Sequence, residues 1–293
     1  MSISKKIDLA IKLSETGTAD GGYVVGESTY PTYMSNEEWE SFKAGMTSDV
    51  ISEYGEGSGA ELDEKKERPP KMACYGSSSR MIYMLSRHKD GFHYEKKLPT
   101  TVGGIANLDG FMEENNRYVF VEAKCHEPYS AKSSSVSKAY EKLYTYINTH
   151  MGGNVKIKMK ISKCGRYLDV EYYSDGEKLE YFDMKQMICH LLGIATGVLK
   201  GELKQKQIDF IYLLYDPTEL DIDTGAKEKI DSIYERTRYE CNIVDFAALL
   251  RTIFEFLKTE KSLVTISDEE LDALACKFTF SLVSQEIYKE LLQ

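Results

Sequence analysis

Three charged residues lie close together in an apolar stretch near the middle of the chain. Asp109 precedes a polar turn at residues 113–116, and Glu122 and Lys124 end the apolar run that starts at residue 118. Two apolar segments separated by turn-forming residues predict a β-hairpin. Because alternate side chains of a strand share one face, the hairpin should bring two carboxylates and one ammonium group together at the edge of a hydrophobic sheet.

These groups suit the hydrolysis of a phosphodiester bond. Carboxylate oxygens, here those of Asp109 and Glu122, are ligands for a hard divalent cation such as Mg²⁺ or Mn²⁺. Such a cation lowers the pKa of a bound water and neutralises charge on phosphoryl oxygens. A lysine in the position of Lys124 orients that water or stabilises the developing anion. The pattern therefore predicts a magnesium-dependent phosphodiesterase.

The Glu-x-Lys pattern alone has little specificity, because it also starts at Glu64, Glu95 and Glu202. Only the pair Glu122 and Lys124 closes an apolar β run that has a second strand before it. The alternative interpretation is a solvated strand end with a surface salt bridge, where the ammonium group contributes little to stability.

Asp109, followed at a hairpin's distance by Glu122-Ala123-Lys124, resembles the motif of the PD-(D/E)XK nuclease superfamily. The chain is most similar to a bacterial, restriction endonuclease-like branch of it, although Leu108 stands where the proline of the name would be. The resemblance covers residues 76–217. It implies an αβββαβ core, metal ligation by Asp109, Glu122 and the carbonyl of Ala123, and a water positioned by Lys124.

Two further positions have two interpretations each. In the superfamily the helix before the first core strand often carries an acidic residue, but residues 77–86 include none. Glu95, in the predicted strand 92–98, is either a third catalytic carboxylate or a plain surface charge. Gln186 lies one helical turn before His190, similar to a Gln-x-x-x-Tyr element of some members. Its simpler role is to close a capping box with Asp183.

The net charge of −10 argues against a nucleic-acid partner unless positive charge is gathered locally. Lys156, Lys158 and Lys160 alternate with apolar residues and should form one basic strand face. This face either contacts a DNA backbone or protects a sheet edge from aggregation. Arg80, at a serine-rich helix start, could hold a phosphate, or the serines could simply cap the helix.

The predicted architecture is α/β, with helical N- and C-terminal flanks around the nuclease-like core. Residues 1–70 form an N-terminal extension and charged linker, and residues 71–218 form the core with a β-hairpin insertion at 130–180. Residues 219–293 form a helical region packed on the core. Its apolar stripe, residues 246–257, either packs on the sheet or forms a homodimer face.

The cysteines and the apolar runs indicate the cellular environment of the protein. Six cysteines without a Cys-x-x-Cys pair indicate a reducing environment, and the absence of a signal peptide or transmembrane run predicts a cytoplasmic protein. The expected function is a metal-dependent endonuclease acting on DNA. The alternatives are an inactive nuclease-like module that binds nucleic acid or protein, and a metal-dependent hydrolase of a small phosphorylated molecule.

Overall fold

The computed structural model describes residues 1–57, 61–65, 67–130, 135–151, 153–261 and 267–292. Within these ranges the chain is a mixed α/β structure with one two-stranded, one four-stranded and one five-stranded sheet. Two hydrophobic clusters fill its interior, and they lie on opposite faces of the five-stranded sheet because alternate side chains of one strand enter different clusters.

The N-terminal region folds as helices and a small antiparallel hairpin. Its elements are α1 (Ile3–Thr16), β1 (Tyr23–Val25), β2 (Ser28–Tyr30), α2 (Asn36–Ala44) and α3 (Ser48–Glu56). A capping box of Ser35 and Glu38 begins α2, and Trp39 is buried. Tyr54 of α3 stacks on Tyr94 with ring centroids 5.0 Å apart, so this region packs directly against the central sheet.

A helix and three antiparallel strands follow. They are α4 (Ser78–Ser86), β3 (Phe92–Pro99), β4 (Ile105–Glu113) and β5 (Arg117–Lys124). β4 pairs with β3 on one side and β5 on the other. The turn at residues 114–116 joins β4 to β5, so the predicted hairpin is confirmed. β4 continues to Glu113, which places Asp109 in the middle of this strand rather than near its end.

Residues 130–180 form more than a hairpin. Their elements are β6 (Ser135–Ser137), α5 (Glu141–His150), β7 (Val155–Ile161), β8 (Tyr167–Ser174) and β9 (Glu177–Lys178). The predicted β7–β8 hairpin is present, and the two short strands pair with β8 to complete a four-stranded antiparallel sheet. Helix α5 packs against β7, because Leu143 and Ile147 are buried with Val155 and Ile157.

The next two elements, α6 (Met184–Leu199) and β10 (Gln207–Leu214), return the chain to the central sheet. β10 lies parallel to β5 in the register Ile208 to Tyr118. Its nearly continuous apolar sequence suits a strand covered on both faces. The order helix, three strands, helix, strand is therefore the order of elements that the sequence predicted.

The C-terminal region is not all helical. Its elements are α7 (Thr224–Asn242), α8 (Phe246–Lys261), α9 (Asp268–Ala275), β11 (Phe278–Val283) and α10 (Gln285–Leu291). β11 pairs in parallel with β10, which gives the central sheet the order β11-β10-β5-β4-β3. The predicted purely helical flank is wrong here, because the alternating residues 278–283 complete the sheet instead.

The apolar stripe of α8 faces the protein interior. Leu249, Leu250, Ile253, Phe254 and Leu257 are fully buried and belong to the cluster that includes α6. Of the two interpretations of this stripe, internal packing is the one that the structure has. A homodimer, if it forms, needs another surface.

No helix among the described residues is both long enough and apolar enough to cross a membrane.

Candidate active site

The site lies where the pairing of β4 with its two neighbouring strands, β3 and β5, is interrupted. Pairing between β4 and β5 stops at Gly110 and Val121. Beyond that point one carboxylate oxygen of Asp109, Oδ2, accepts a hydrogen bond from the backbone N–H of Ala123 at 2.7 Å. The side chain of Asp109 is thus fixed across the mouth of the hairpin, beside the Glu122-Ala123-Lys124 segment.

Glu95 occupies the corresponding position on the other neighbour of β4. The register of β3 places it opposite Asp109, but the ladder has no Cα pair there, between the pairs of Tyr94 with Gly110 and Lys96 with Leu108. Glu95 has a φ of 52°, which is unfavourable for a residue with a Cβ atom. Strained backbone of this kind persists where the surrounding structure demands it, often at functional sites.

Glu122 and Lys124 are not a solvated strand end. Their residues are only 1% and 8% exposed, and the Lys124 Nζ lies 2.5 Å from Oε1 of Glu122. The same Nζ donates to Oε1 of Gln186 at 2.7 Å. The surface salt-bridge interpretation of this pair is therefore wrong, because both charged groups are enclosed.

Helix α6 supplies two side chains to this pair. The backbone N–H of Gln186 is capped by Asp183, but its side chain reaches Lys124 rather than closing a capping box. One turn later, Nε2 of His190 lies 2.8 Å from Oε2 of Glu122, although these two atoms are not aligned as a hydrogen bond. Both Gln186 and His190 therefore face the Glu122 and Lys124 pair.

A glycine allows α6 to lie this close to the sheet. A Cβ atom at Gly193 would lie 2.7 Å from Cβ of Ala106 on β4 and 3.0 Å from Cβ of Leu98 on β3. Real Cβ atoms essentially never approach others so closely. A larger residue at position 193 would push the helix, and with it Gln186 and His190, away from the site.

The charged groups of the site change each other's pKa values. Burial opposes the ionisation of Glu122, but Lys124 and His190 outweigh it and lower the pKa of this carboxyl. Burial also opposes the charge of Lys124, but Glu122, Glu127 and Asp109 outweigh it and raise the pKa of the ammonium group. The pair is therefore ionised at neutral pH.

The pKa values of the other two carboxyls, those of Asp109 and Glu95, are raised. Burial, followed by repulsion from Glu122, raises the pKa of Asp109 well above its ordinary value. Burial, followed by repulsion from Glu61 and Glu122, raises the pKa of Glu95 to about 7. These carboxylates repel each other when they are ionised. A bound divalent cation would offset that repulsion and favour their ionised forms.

Glu61 is a site residue that the sequence did not single out. It is buried, and its carboxylate accepts hydrogen bonds from Ser79 and Lys71, each at 2.8 Å. Ser79 belongs to α4, the helix that has no acidic residue of its own. The polar segment before α4 thus brings a carboxylate to this helix, and no local sequence signal announces it.

These groups surround one cavity of about 290 Å³. Its acidic lining comes from Glu61, Glu95, Asp109 and Glu127, and Lys124 and Gln186 also line it. Glu122 lies behind this lining: its Oε1 is bound by Lys124 and its Oε2 lies 2.8 Å from Nε2 of His190. The carboxylates that line the cavity suit a hard divalent cation such as Mg²⁺, and the resemblance implies Asp109, Glu122 and the Ala123 carbonyl as its ligands.

Arg80 does not belong to the site. Its guanidinium forms two bonds to the carboxylate of Glu15, at 3.0 and 2.5 Å, and lies over the ring of Tyr75. The residue is only 6% exposed. The predicted phosphate contact by Arg80 is wrong, whereas the helix start itself is confirmed, since Ser77 caps α4.

The basic strand face exists, but its charge is partly balanced. Lys156, Lys158 and Lys160 are exposed on β7. Across the ladder, Lys158 faces Glu171 and Lys160 faces Asp169. β7 pairs only with β8 within the described part of the chain, and Asn148 of α5 bonds both backbone groups of Ile157. Both predicted uses of the lysines, DNA contact and edge protection, therefore stay open.

The raised pKa of Glu95 predicts a pH-dependent stability. The folded state binds this proton more tightly than the unfolded state, so stability should fall as pH rises from about 4.5 to about 7. The loss is up to roughly 3 kcal/mol at about 1.4 kcal/mol per pKa unit. Glu95→Gln keeps the side-chain shape and the positive φ but cannot ionise, so it should remove this loss.

The measurement is urea unfolding of the metal-free protein and of Glu95→Gln at several pH values across that window. The stability difference between the two proteins should widen in favour of the variant with rising pH. Parallel pH profiles would show that Glu95 ionises as freely in the folded protein as in the unfolded chain.

In comparisons with protein-family models, with curated proteins and with solved structures, no match to this chain was found.

Proposed function

We propose that this protein is a metal-dependent nuclease of the PD-(D/E)XK type that hydrolyses phosphodiester bonds in DNA. The proposal rests chiefly on one observation: Asp109, Lys124 and Gln186 line one cavity, and the buried carboxylate of Glu122 is ion-paired to Lys124. Further support comes from the order of the elements that carry them, α4, three antiparallel strands, α6 and the parallel β10. That order is compatible with the αβββαβ core that the resemblance implies.

Each residue has a role that its surroundings support. A divalent cation held by Asp109, Glu122 and the Ala123 carbonyl would supply charge neutralisation and a water of lowered pKa. Lys124 is kept charged by Glu122 and directed by Gln186, so it donates to the attacking water or to the phosphoryl oxygen. Glu95, with its pKa near 7, is suited to accept the proton of that water.

The bonds that change follow from these roles. The water oxygen bonds to phosphorus, its proton passes to Glu95, and one P–O ester bond breaks. The products are a phosphate monoester end and an alcohol that takes up a proton. Lys124 stabilises the additional negative charge that the phosphoryl group carries during this step.

A side-by-side substrate test separates this proposal from the two alternatives. Supercoiled plasmid, single-stranded DNA, RNA and nucleoside triphosphates are each incubated with the full chain and Mg²⁺ or Mn²⁺, and again with excess chelator. We expect nicking or linearisation of DNA that requires the cation. Hydrolysis of nucleotides with intact DNA would favour the small-molecule hydrolase, and DNA binding without any cleavage would favour the inactive module.

The Lys156, Lys158 and Lys160 face makes a separate prediction about DNA binding. Each lost phosphate contact lowers the magnitude of the slope of log affinity against log salt by about 0.9 for duplex DNA. Replacing all three lysines with Gln should therefore weaken binding and flatten that slope, by an amount equivalent to the loss of up to roughly three phosphate contacts. The fold should be unaffected, since these side chains are exposed and the opposite face keeps Val155 and Ile157 buried.

The salt dependence is measured by fluorescence anisotropy with a labelled duplex in the presence of Ca²⁺ to prevent cleavage. Asp169→Asn is the matched control, because removing the carboxylate opposite Lys160 should strengthen binding. An unchanged slope in the triple variant would assign the lysines to edge protection.

A further inference from the structure

A second group of possible ligands lies beside the same cavity. Asp8 of α1, Cys74 and His126 place one ligand atom each within 4.8 Å of one another. Among the described residues no other group of three His, Cys, Asp or Glu side chains is so close. Cys74 and His126 line the cavity, together with Asp109 and Lys124.

The three side chains come from segments that are distant in sequence. Asp8 lies on a buried position of α1, Cys74 follows a 3₁₀ turn (Lys71–Ala73), and His126 comes two residues after β5 ends. His126 and Asp8 are 118 positions apart in the chain, yet Nδ1 of the imidazole lies 2.6 Å from Oδ1 of the carboxylate. Tertiary structure, rather than a local motif, assembles this group.

The backbone around the group leaves room for it. A Cβ atom at Gly76 would lie 1.9 Å from Oδ1 of Asp8 and 3.1 Å from Nδ1 of His126. Any larger residue at position 76 would displace the carboxylate. Cys74 is held in place by a β-bridge with Tyr33 and by its N–H, which donates to Lys71.

Asp8 and Cys74 are buried, whereas His126 is partly exposed. The two residues are 4% and 3% exposed, while the His126 side chain is 29% exposed. A buried carboxylate needs a positive partner, and the one salt bridge of Asp8 within the described residues is to His126. A metal ion would satisfy the carboxylate, the thiol sulfur and the imidazole together.

We propose that Asp8, Cys74 and His126 bind a zinc ion. Sulfur, nitrogen and oxygen donors from Cys, His and Asp are the set that Zn²⁺ accepts, whereas Mg²⁺ takes oxygen ligands. Three protein ligands leave a fourth tetrahedral position for a water or a substrate atom. That position faces the cavity, because Cys74 and His126 line it.

This site is separate from the proposed magnesium site and does not depend on the nuclease assignment. Its ligands connect α1 to the segment before α4 and to the loop after β5. Binding would release the thiol proton of Cys74 and the proton that His126 shares with Asp8, and it would stabilise the packing of α1 against the core. The expected consequence is that chelation lowers the thermal unfolding temperature of the zinc-bound protein.

Cobalt(II) provides the direct test, since Co²⁺ occupies zinc sites and a Co²⁺–thiolate bond gives a near-ultraviolet charge-transfer band. The full chain is freed of metal, kept reduced, and titrated with Co²⁺. We expect the thiolate band and tetrahedral visible bands to saturate at one equivalent and to vanish on addition of Zn²⁺. Absence of a thiolate band in the unmodified protein would overturn the proposal.

Variants assign the band to these ligands. Cys74→Ser should abolish the thiolate band, and His126→Gln should weaken Co²⁺ binding by at least tenfold. The matched control is Cys164→Ser, since Cys164 is an exposed cysteine far from the group in sequence. Asp109→Asn should leave the band unchanged, which distinguishes failure of this site from failure of the nuclease site. A band that persists in Cys74→Ser would contradict the assignment.

The unmodified protein decides the matter even if a variant does not fold, and far-ultraviolet circular dichroism identifies such a variant. Zinc analysis of protein purified from zinc-supplemented cells gives an independent readout. About one zinc per chain, lost on treatment with a strong chelator, is expected. Zinc well below this level together with no Co²⁺ band would mean that the three side chains form only a hydrogen-bonded cluster.

Discussion

Replacing Lys124 with Gln is expected to slow DNA cleavage by roughly 10²- to 10⁴-fold, the usual cost of removing a catalytic proton donor or anion-stabilising group. The physical reason is that Lys124 is the cation held by both Glu122 and Gln186 at the cavity wall. Gln can still donate to Glu122 but carries no charge. Single-turnover cleavage with saturating Mg²⁺ measures the loss.

The choice of Gln rather than Ala follows from the burial of the pair. Removing one partner of a buried ion pair typically costs about 3–5 kcal/mol, so Lys124→Ala should destabilise the protein. The expectation from the sequence, that this ammonium group contributes little to stability, does not apply to a residue that is 8% exposed. Lys5→Gln, at an exposed position of α1, is the matched control and should retain the cleavage rate. Normal cleavage by Lys124→Gln would remove Lys124 from the mechanism.

Asp109→Asn is expected to have opposite effects on stability with and without metal. Without metal the variant should be more stable than the unmodified protein at neutral pH, because burial and Glu122 raise the pKa of Asp109. The folded state holds this proton more tightly, so the unmodified protein loses stability as pH rises above the ordinary pKa of Asp. Asn avoids that loss, and its oxygen can still accept the N–H of Ala123.

With metal the order should reverse. A cation that binds only the folded state at about 100 times its dissociation constant adds about 2.7 kcal/mol of stability. The unmodified protein should therefore gain thermal stability with Mn²⁺, while Asp109→Asn should gain little and should lose cleavage activity. Thermal unfolding with and without Mn²⁺ measures both effects. An equal gain in the two proteins would place the cation elsewhere.

Cys74→Ser serves as the control in that experiment. It removes the sulfur ligand of the second cluster, and Mn²⁺ prefers oxygen donors to thiolates. This variant should keep the Mn²⁺-dependent gain that Asp109→Asn loses. A loss of the gain in Cys74→Ser alone would assign Mn²⁺ binding to the Asp8, Cys74 and His126 group.

The β4–β5 hairpin could be predicted because its signals are local. Apolar alternation fixes the strand faces, and the turn residues fix where the chain reverses. The same holds for the β7–β8 hairpin and for the start of α4, which Ser77 caps. Local patterning thus sufficed to place Asp109, Glu122 and Lys124 at one hairpin mouth.

Long-range contacts could not be predicted in this way. Arg80 has the sequence context of a phosphate site, but its partner Glu15 is 65 positions away. Glu61 reaches α4 from a segment that has no regular pattern, and Asp8 reaches His126 across most of the N-terminal half. Such side chains acquire their partners only when the tertiary structure forms.

Strand β11 was not predicted, for a related reason. Residues 278–283 alternate large apolar residues with Thr and Ser, which is a strand pattern. They follow a capped helix, however, and their partner β10 lies more than 60 residues earlier in a parallel arrangement. Parallel pairing has no turn signal of its own, so nothing local separates this strand from a continued helical region.

Crystallography with Mn²⁺ tests most directly the claim that Asp109 and Glu122 hold the catalytic cation. Crystals of the full chain are soaked in Mn²⁺, and anomalous difference maps are calculated near the manganese absorption edge. The proposed function predicts a peak bridging carboxylate oxygens of Asp109 and Glu122, with the Ala123 carbonyl within coordination distance. No peak there, or a peak confined to Asp8, Cys74 and His126, would contradict it.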